Sequence, residues 1–121
     1  MSTVLVVEDS LPQREMISEL LKANGLNVIV ASDGVEALEH VQLFAPDLVV
    51  LDIIMPRMNG YELCRQLKTN SNTQNLAVVI CSIKKEEVDR YWGMKQGADA
   101  YISKPFHPQE LIGTVKQLLR D

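Results

Sequence analysis

The chain has 121 residues, 46% of them apolar, 23% charged and 5% aromatic. That suits a single domain over residues 1–121 that folds on its own core, without disulfide or metal staples. Sixteen acidic residues against twelve basic ones leave a net charge of -4, which argues against a binder of nucleic-acid backbones. The apolar runs, such as Leu48–Leu51 and Leu76–Cys81, fall far short of the ~20 residues of a membrane span. No secretion signal precedes the first of them, so a cytoplasmic protein is expected.

Val4–Val7 predicts the first strand, and a helix follows with Pro12 in its first turn, Ile17, Leu20 and Leu21 on one face, and Gly25 just past its end. Val28–Val30 predicts strand two. The second helix starts near Asp33-Gly34 and carries Ala37, Leu38 and Val41. Leu48–Leu51 is strand three, and a helix from about Asn59 through Leu63 and Leu67 leads into the polar loop Thr69–Thr73. Val78–Cys81 is strand four. The fourth helix, Lys85–Gln96, has a thin apolar stripe and a glycine, Gly93, costing about 1 kcal/mol relative to alanine, which makes it the candidate mobile element. Its Trp92 is expected to anchor it in the core. Ala100–Ile102 is strand five, and the last helix begins at Pro108 with Leu111, Ile112, Val115, Leu118 and Leu119 on one face. Cys64 and Cys81 form no CxxC pair and are expected to be small buried hydrophobes.

Short apolar strands alternating with amphipathic helices predict an α/β fold: a doubly wound, five-stranded parallel sheet in a three-layer sandwich, its strands buried on both faces. The expected strand order, 2-1-3-4-5, is that of other five-stranded doubly wound sheets of the flavodoxin-like kind and is not read from these residues. In that order the carboxyl ends of strands one, three, four and five meet at one cleft. Glu8-Asp9, Asp52, Ser82 and Ser103-Lys104-Pro105 stand where those strands stop.

Two carboxylates about 4 Å apart repel by ~4 kcal/mol at the effective dielectric of a protein surface, so three of them need positive charge nearby. Lys104 supplies one charge. A hard divalent cation such as Mg²⁺, which takes oxygen ligands, is the natural second, held by Asp9 and Asp52 with Glu8 helping through water. An anion-binding loop would offer hydroxyls and amides after strand one, whereas Glu8-Asp9-Ser10 offers negative charge. With metal and lysine in place, the Asp52 carboxylate can attack phosphorus, and Ser82 can hydrogen-bond a phosphoryl oxygen. His40, a surface residue on helix two, and His107, past the Lys-Pro turn, are expected to be incidental.

These residues resemble a known family. Val-Val-Glu8-Asp9-Ser10, Asp52-Ile-Ile-Met-Pro56 with Asn59-Gly60, Cys-Ser82 and Tyr101-Ile-Ser-Lys104-Pro105-Phe106 are together similar to the receiver domain of two-component response regulators, along the whole chain. The resemblance implies phosphorylation of Asp52 by a histidine kinase with Mg²⁺ as cofactor. It implies Glu8 and Asp9 as the metal-holding pair, with a further ligand from the backbone carbonyl of Ile54. Ser82 resembles the switch hydroxyl, Tyr101 the switch aromatic, and Lys104 the lysine that pairs with the phosphoryl group. The peptide before Pro105 is usually cis in this family.

With no effector domain following in the sequence, the chain resembles the CheY-like single-domain regulators. Such a monomer is a phosphoacceptor switch and not an enzyme in the usual sense. Its output passes to a protein target through the face of helix four, strand five and helix five, which changes shape when Ser82 moves toward the phosphoryl group and Tyr101 leaves an exposed rotamer to fill the space. The stretch from Glu87 through Trp92-Gly93 to Gly97-Ala98 is similar to PilH-like regulators of chemosensory systems that control type IV pili and twitching or phototactic motility.

Two positions depart from the family pattern. Ile83 stands where a small residue is usual and Ile54 where a polar one is common, which bears on rates and not on chemistry. A phosphorylation-independent adaptor would have no use for the clustered charge. Hydrolases of similar topology carry an Asp-x-Asp after strand one, which Glu8-Asp9-Ser10 does not supply.

Overall fold

The computed structural model describes residues 1–120, so that Asp121, the end of the expected domain, lies outside the described residues. Five strands, β1 (Thr3–Val7), β2 (Asn27–Ala31), β3 (Leu48–Leu51), β4 (Ala77–Ser82) and β5 (Ala100–Ser103), alternate with five helices. The helices are α1 (Leu11–Ala23), α2 (Gly34–Phe44), α3 (Gly60–Thr69), α4 (Glu87–Lys95) and α5 (Pro108–Leu119). The sheet is parallel with order β2-β1-β3-β4-β5, as expected.

Alternation along each strand builds two apolar layers. Leu5, Val7, Val49, Leu51, Val78 and Ile80 join Ala37, Val41, Leu63 and Leu67 of α2 and α3 on one face. Val4, Val6, Leu48, Val50, Val79 and Ile102 meet Ile17 and Leu21 of α1 and Leu111 and Val115 of α5 on the other. Each such side chain contributes roughly 1.5–3 kcal/mol by leaving water, which makes register costly to shift. Val7 lies opposite Leu51, and Leu51 opposite Ile80. One step further on stand Glu8 and Asp52, side by side at the carboxyl edge of the sheet.

Three expectations need correction. β2 is not buried on both faces: as an edge strand it leaves Val28 and Ile29 half-buried and Val30 exposed. Trp92 is no core anchor, being 50% exposed, with Val88 and Tyr91 also exposed along α4. The contact with the core falls to Gly93 instead. A Cβ there would lie 2.9 Å from Ile80 Cδ1 and 2.9 Å from Tyr101 Cδ2, so the residue with the poorest helix propensity is the one that lets α4 close on the sheet. Finally, α4 runs only from Glu87 to Lys95, its start marked by Asp89, whose carboxylate accepts a hydrogen bond from the Glu86 amide at 3.1 Å.

Cys64 and Cys81 are free and fully buried, as expected, and burial pushes their thiols up to about 11 and about 12. No helix among the described residues is long and apolar enough to cross a membrane.

Candidate functional site

The loops leaving β1, β3, β4 and β5 enclose a cleft of about 580 Å³. It is lined by Glu8, Asp9, Asp52 and Lys104 and by apolar groups, among them Ile54, Ile83 and Phe106. Caps fix where two of the helices that follow these loops begin. Ser10 caps α1 by accepting from the Gln13 amide, and Asn59 caps α3 by accepting from the Glu62 amide at 3.0 Å.

Glu8, Asp9 and Asp52 each offer a carboxylate oxygen within 4.8 Å of the others. Glu8 and Asp52 are buried and Asp9 is exposed. Lys104 Nζ donates to Glu8 Oε2 at 2.7 Å and lies 3.7 Å from Asp52 Oδ2. Burial raises the Glu8 carboxyl above its ordinary range, against the Lys104 hydrogen bond and with the nearby Asp52 charge. Burial alone would lower the Lys104 ammonium, but the Glu8 hydrogen bond and the Asp52 charge outweigh it and leave it raised. The Lys104 ammonium is thus shared by Glu8 and Asp52, and among the described residues no ion pair reaches Asp9. The donor set of three carboxylates, all oxygen and with an exposed member facing solvent, fits a small hard divalent cation that keeps part of its water.

The backbone around Asp52 is held closely. Its amide donates to the Val7 carbonyl at 3.1 Å, and its Oδ1 accepts from the Ile53 amide at 2.7 Å. The Gly60 amide donates to the Ile53 carbonyl at 2.9 Å, which brings the start of α3 directly beneath. Ser82 is fully buried at the end of β4 and accepts from the Lys84 amide at 3.2 Å. The Lys104–Pro105 peptide is cis, as expected.

Tyr101 departs from the expectation of an exposed rotamer. It is buried, its hydroxyl donating to the Lys84 carbonyl, with the Arg90 guanidinium 5.2 Å over its ring and Arg90 Nη1 donating to its carbonyl at 3.0 Å. Burial, with the neighbouring Tyr61 and Asp89, raises its phenol. The missing Cβ of Gly93 leaves room for the ring.

Other partners were not legible in the sequence. Arg14 Nη1 donates to the Glu8 carbonyl at 2.9 Å from within α1. His107 has a structural role: its Nδ1 accepts from the Gln109 amide at 3.2 Å and caps α5. His40 is half-buried, not a free surface residue, with its ring edge-on to Phe44 at 5.4 Å. Asp33 caps α2 by accepting from the Glu36 amide at 2.8 Å and also receives Arg57, whose Nη2 lies 2.5 Å from Asp33 Oδ2.

The Glu36 amide, ahead of Arg57, holds the Asp33 carboxyl below its ordinary 3.8. A depressed carboxylate stabilises the fold fully above about pH 4, and that share is lost as pH falls through the lower folded value. Asp33→Asn is therefore expected to be less stable than the parent near pH 7, with the gap closing as pH falls below the ordinary carboxylate value of 3.8 and through the lower folded one. Urea midpoints across that range check it, and a gap independent of pH would refute it.

The fold is a five-stranded doubly wound sandwich with an acidic cleft at the carboxyl edge of its sheet. The family model described as "Response regulator receiver domain" matches residues 4–116, and the chain belongs to that family. The chain is 40% identical over 117 residues to the DNA-binding response regulator MtrA of Mycobacterium tuberculosis, covering 97% of this chain and 50% of MtrA. It spans about half the length of the curated relatives it matches. Among solved structures it is similar to the receiver domain of the Francisella response regulator 1452, with a TM-score of 0.92 and 32% identity, covering 99% of this chain and 98% of that one. The chemotaxis protein CheY4 of Vibrio cholerae gives 0.91 and 30% identity, covering 98% of both chains.

Proposed function

We propose that residues 1–121 work as one receiver domain that takes a phosphoryl group from a histidine kinase onto Asp52 and passes the signal on through altered protein contacts. The observation that carries this reading is the position of Lys104, 2.7 Å from Glu8 and 3.7 Å from Asp52 among three clustered carboxylates. In the step, an Asp52 carboxylate oxygen bonds to phosphorus, the phosphorus–nitrogen bond of the phosphohistidine breaks, and the nitrogen keeps the electron pair. Glu8, Asp9, Asp52 and the Ile54 carbonyl would hold Mg²⁺, which neutralises phosphoryl oxygens. Lys104 exchanges its carboxylate partner for the phosphoryl group, and Ser82 donates its hydroxyl.

Because Tyr101 is already buried, phosphorylation in this reading biases an arrangement the protein can adopt beforehand, and a target selects it through the α4–β5–α5 face by differential affinity. The likeness of the Glu87–Ala98 stretch to PilH-like regulators supports a chemosensory pathway controlling type IV pili and twitching or phototactic motility. Similarity to CheY4, a chemotaxis protein, is in keeping with that. A second reading, a receiver that serves a DNA-binding regulator, is favoured by the 40% identity to MtrA.

A phosphotransfer profile against chemosensory kinases and against kinases of DNA-binding regulators tests both. Rapid, Mg²⁺-dependent labelling by a chemosensory kinase is expected. Absence of label from every kinase and from acetyl phosphate would end the phosphoacceptor reading.

Ile83 bears on the rates. It is 64% exposed at the mouth of the cleft and lines it together with Ile54, so packing against α4 does not account for it. Its branched side chain can obstruct both a small phosphodonor and the water that hydrolyses the acyl phosphate. Ile83→Ala is expected to speed labelling by acetyl phosphate and shorten the phosphorylated lifetime, each by the several-fold that ~1 kcal/mol of barrier implies. Unaltered rates in a destabilised variant would assign Ile83 to packing alone.

A further inference from the structure

Between the Ile53 carbonyl, which accepts from Gly60, and the Asn59 cap lies a loop, residues 54–58, whose first residue, Ile54, lines the cleft that holds the acidic cluster. Its own backbone supplies one hydrogen bond, from the Met58 amide to the Pro56 carbonyl at 2.7 Å. Met55 and Met58 of this loop pack against the core, and among the described residues one hydrogen-bonded side-chain tether joins it to another element: Arg57 Nε and Nη2 donate to Asp33 Oδ2 at 3.0 and 2.5 Å. Asp33 is buried and engaged as the cap of α2, so the tether ends on a structured element. Met58 lies beside the tether, so close to Gly34 that a Cβ there would be 2.9 Å from the Met58 Cβ.

Arg57 adopts φ +67°, a left-handed conformation that a long unbranched side chain takes at a cost. The turn needs that conformation, and glycine or asparagine would supply it more cheaply. What arginine adds is a fork that reaches Asp33 and holds the loop against the start of α2.

We propose that Arg57, anchored on Asp33, is a positioning residue for the cation site: it holds the 54–58 loop so that the Ile54 carbonyl stands ready to complete the Glu8, Asp9 and Asp52 donor set. This rests on the Mg²⁺ reading above. Arg57 is not among the residues that line the cleft. With the tether released, the loop must be ordered when the cation arrives, and binding is weakened by that ordering.

Two variants approach the tether from opposite ends. Arg57→Gly removes the fork while relieving the backbone, so its thermal midpoint should stay near the parent's. Asp33→Asn keeps a capping oxygen on α2 and leaves Arg57 without its charge partner. Both are expected to weaken Mg²⁺ binding by isothermal titration calorimetry roughly tenfold, the low end for groups that orient metal ligands. Labelling by acetyl phosphate should recover to the parental rate at saturating Mg²⁺. In metal-free protein, the amides of Ile54, Met55, Arg57 and Met58 should exchange faster with solvent, and Arg57→Lys should restore part of the affinity. Unchanged Mg²⁺ affinity and unchanged exchange in both folded variants would overturn the proposal. If the parent itself binds no Mg²⁺, the metal reading fails there, before any variant is compared, and this proposal falls with it.

Discussion

Asp52→Asn is expected to accept no phosphoryl group from kinase or acetyl phosphate, with labelling reduced at least about a thousandfold, equivalent to ~4 kcal/mol of barrier. The amide lacks the anionic oxygen that would attack phosphorus. Glu8 is engaged by Lys104 at 2.7 Å, and the two cysteines are buried. The variant should nevertheless fold. Asn retains an oxygen to accept the Ile53 amide, as Asp52 Oδ1 does at 2.7 Å, and substitution removes one of three mutually repelling charges. Stability is therefore expected to be equal or slightly higher, which separates lost chemistry from lost structure. Intact-mass measurement of the acyl phosphate together with a denaturation curve checks both parts. Undiminished acid-stable or acid-labile label on the variant would place the acceptor elsewhere.

Gly60→Ala should be the most damaging single methyl in the molecule. At this first residue of α3 a Cβ would lie 2.2 Å from the Asp52 carbonyl oxygen, 2.8 Å from Ile53 Cα and 2.8 Å from Leu51 Cδ1. Two of these three atoms are backbone, and the Asp52 peptide is hydrogen-bonded to Val7, so the clash cannot be relieved by turning a side chain. α3 has to retreat from the end of β3, weakening the Gly60–Ile53 hydrogen bond and shifting Asp52 itself. A loss of about 2–4 kcal/mol is expected, or roughly 8–20 °C in Tm, with phosphorylation slowed in the fraction that remains folded. Gly113→Ala on α5 is the matched control: no heavy atom lies within 4 Å of its added Cβ, and helix propensity favours alanine there by about 1 kcal/mol. Equal midpoints for the Gly60 and Gly113 variants would show that the close approach at Gly60 carries no energetic weight.

The chain's residues determined, without any coordinates, the alternation of strands and helices and the two-layer core. Runs such as Leu48–Leu51 and the Leu111–Leu119 face carry their period on their own, and period is a local property. The candidate site was legible for a related reason. Glu8, Asp52, Ser82 and Lys104 each interrupt or follow an apolar strand, and a parallel sheet brings strand ends together whatever lies between them. The starts of α2 and α3 near Asp33 and Asn59 were readable because a short polar residue before an apolar run can accept from an amide three residues on, as both do.

Only the tertiary structure decided which apolar or polar residue wins a place where separate segments meet. Trp92, the larger hydrophobe, is half-exposed while Gly93 beside it is buried, because the spacing between α4 and β5 leaves no volume for a side chain against Ile80 and Tyr101. Val30 is exposed although it is as apolar as Val50, since β2 has a neighbour on one side only. Tyr101 is turned inward because the Lys84 carbonyl and the Arg90 guanidinium, 17 and 11 residues away, reach it there. Arg57 finds Asp33 across 24 residues. Each of these outcomes depends on a distance of a few ångströms between elements, and such distances are set by how whole helices pack on the sheet, a quantity that no local period or motif contains.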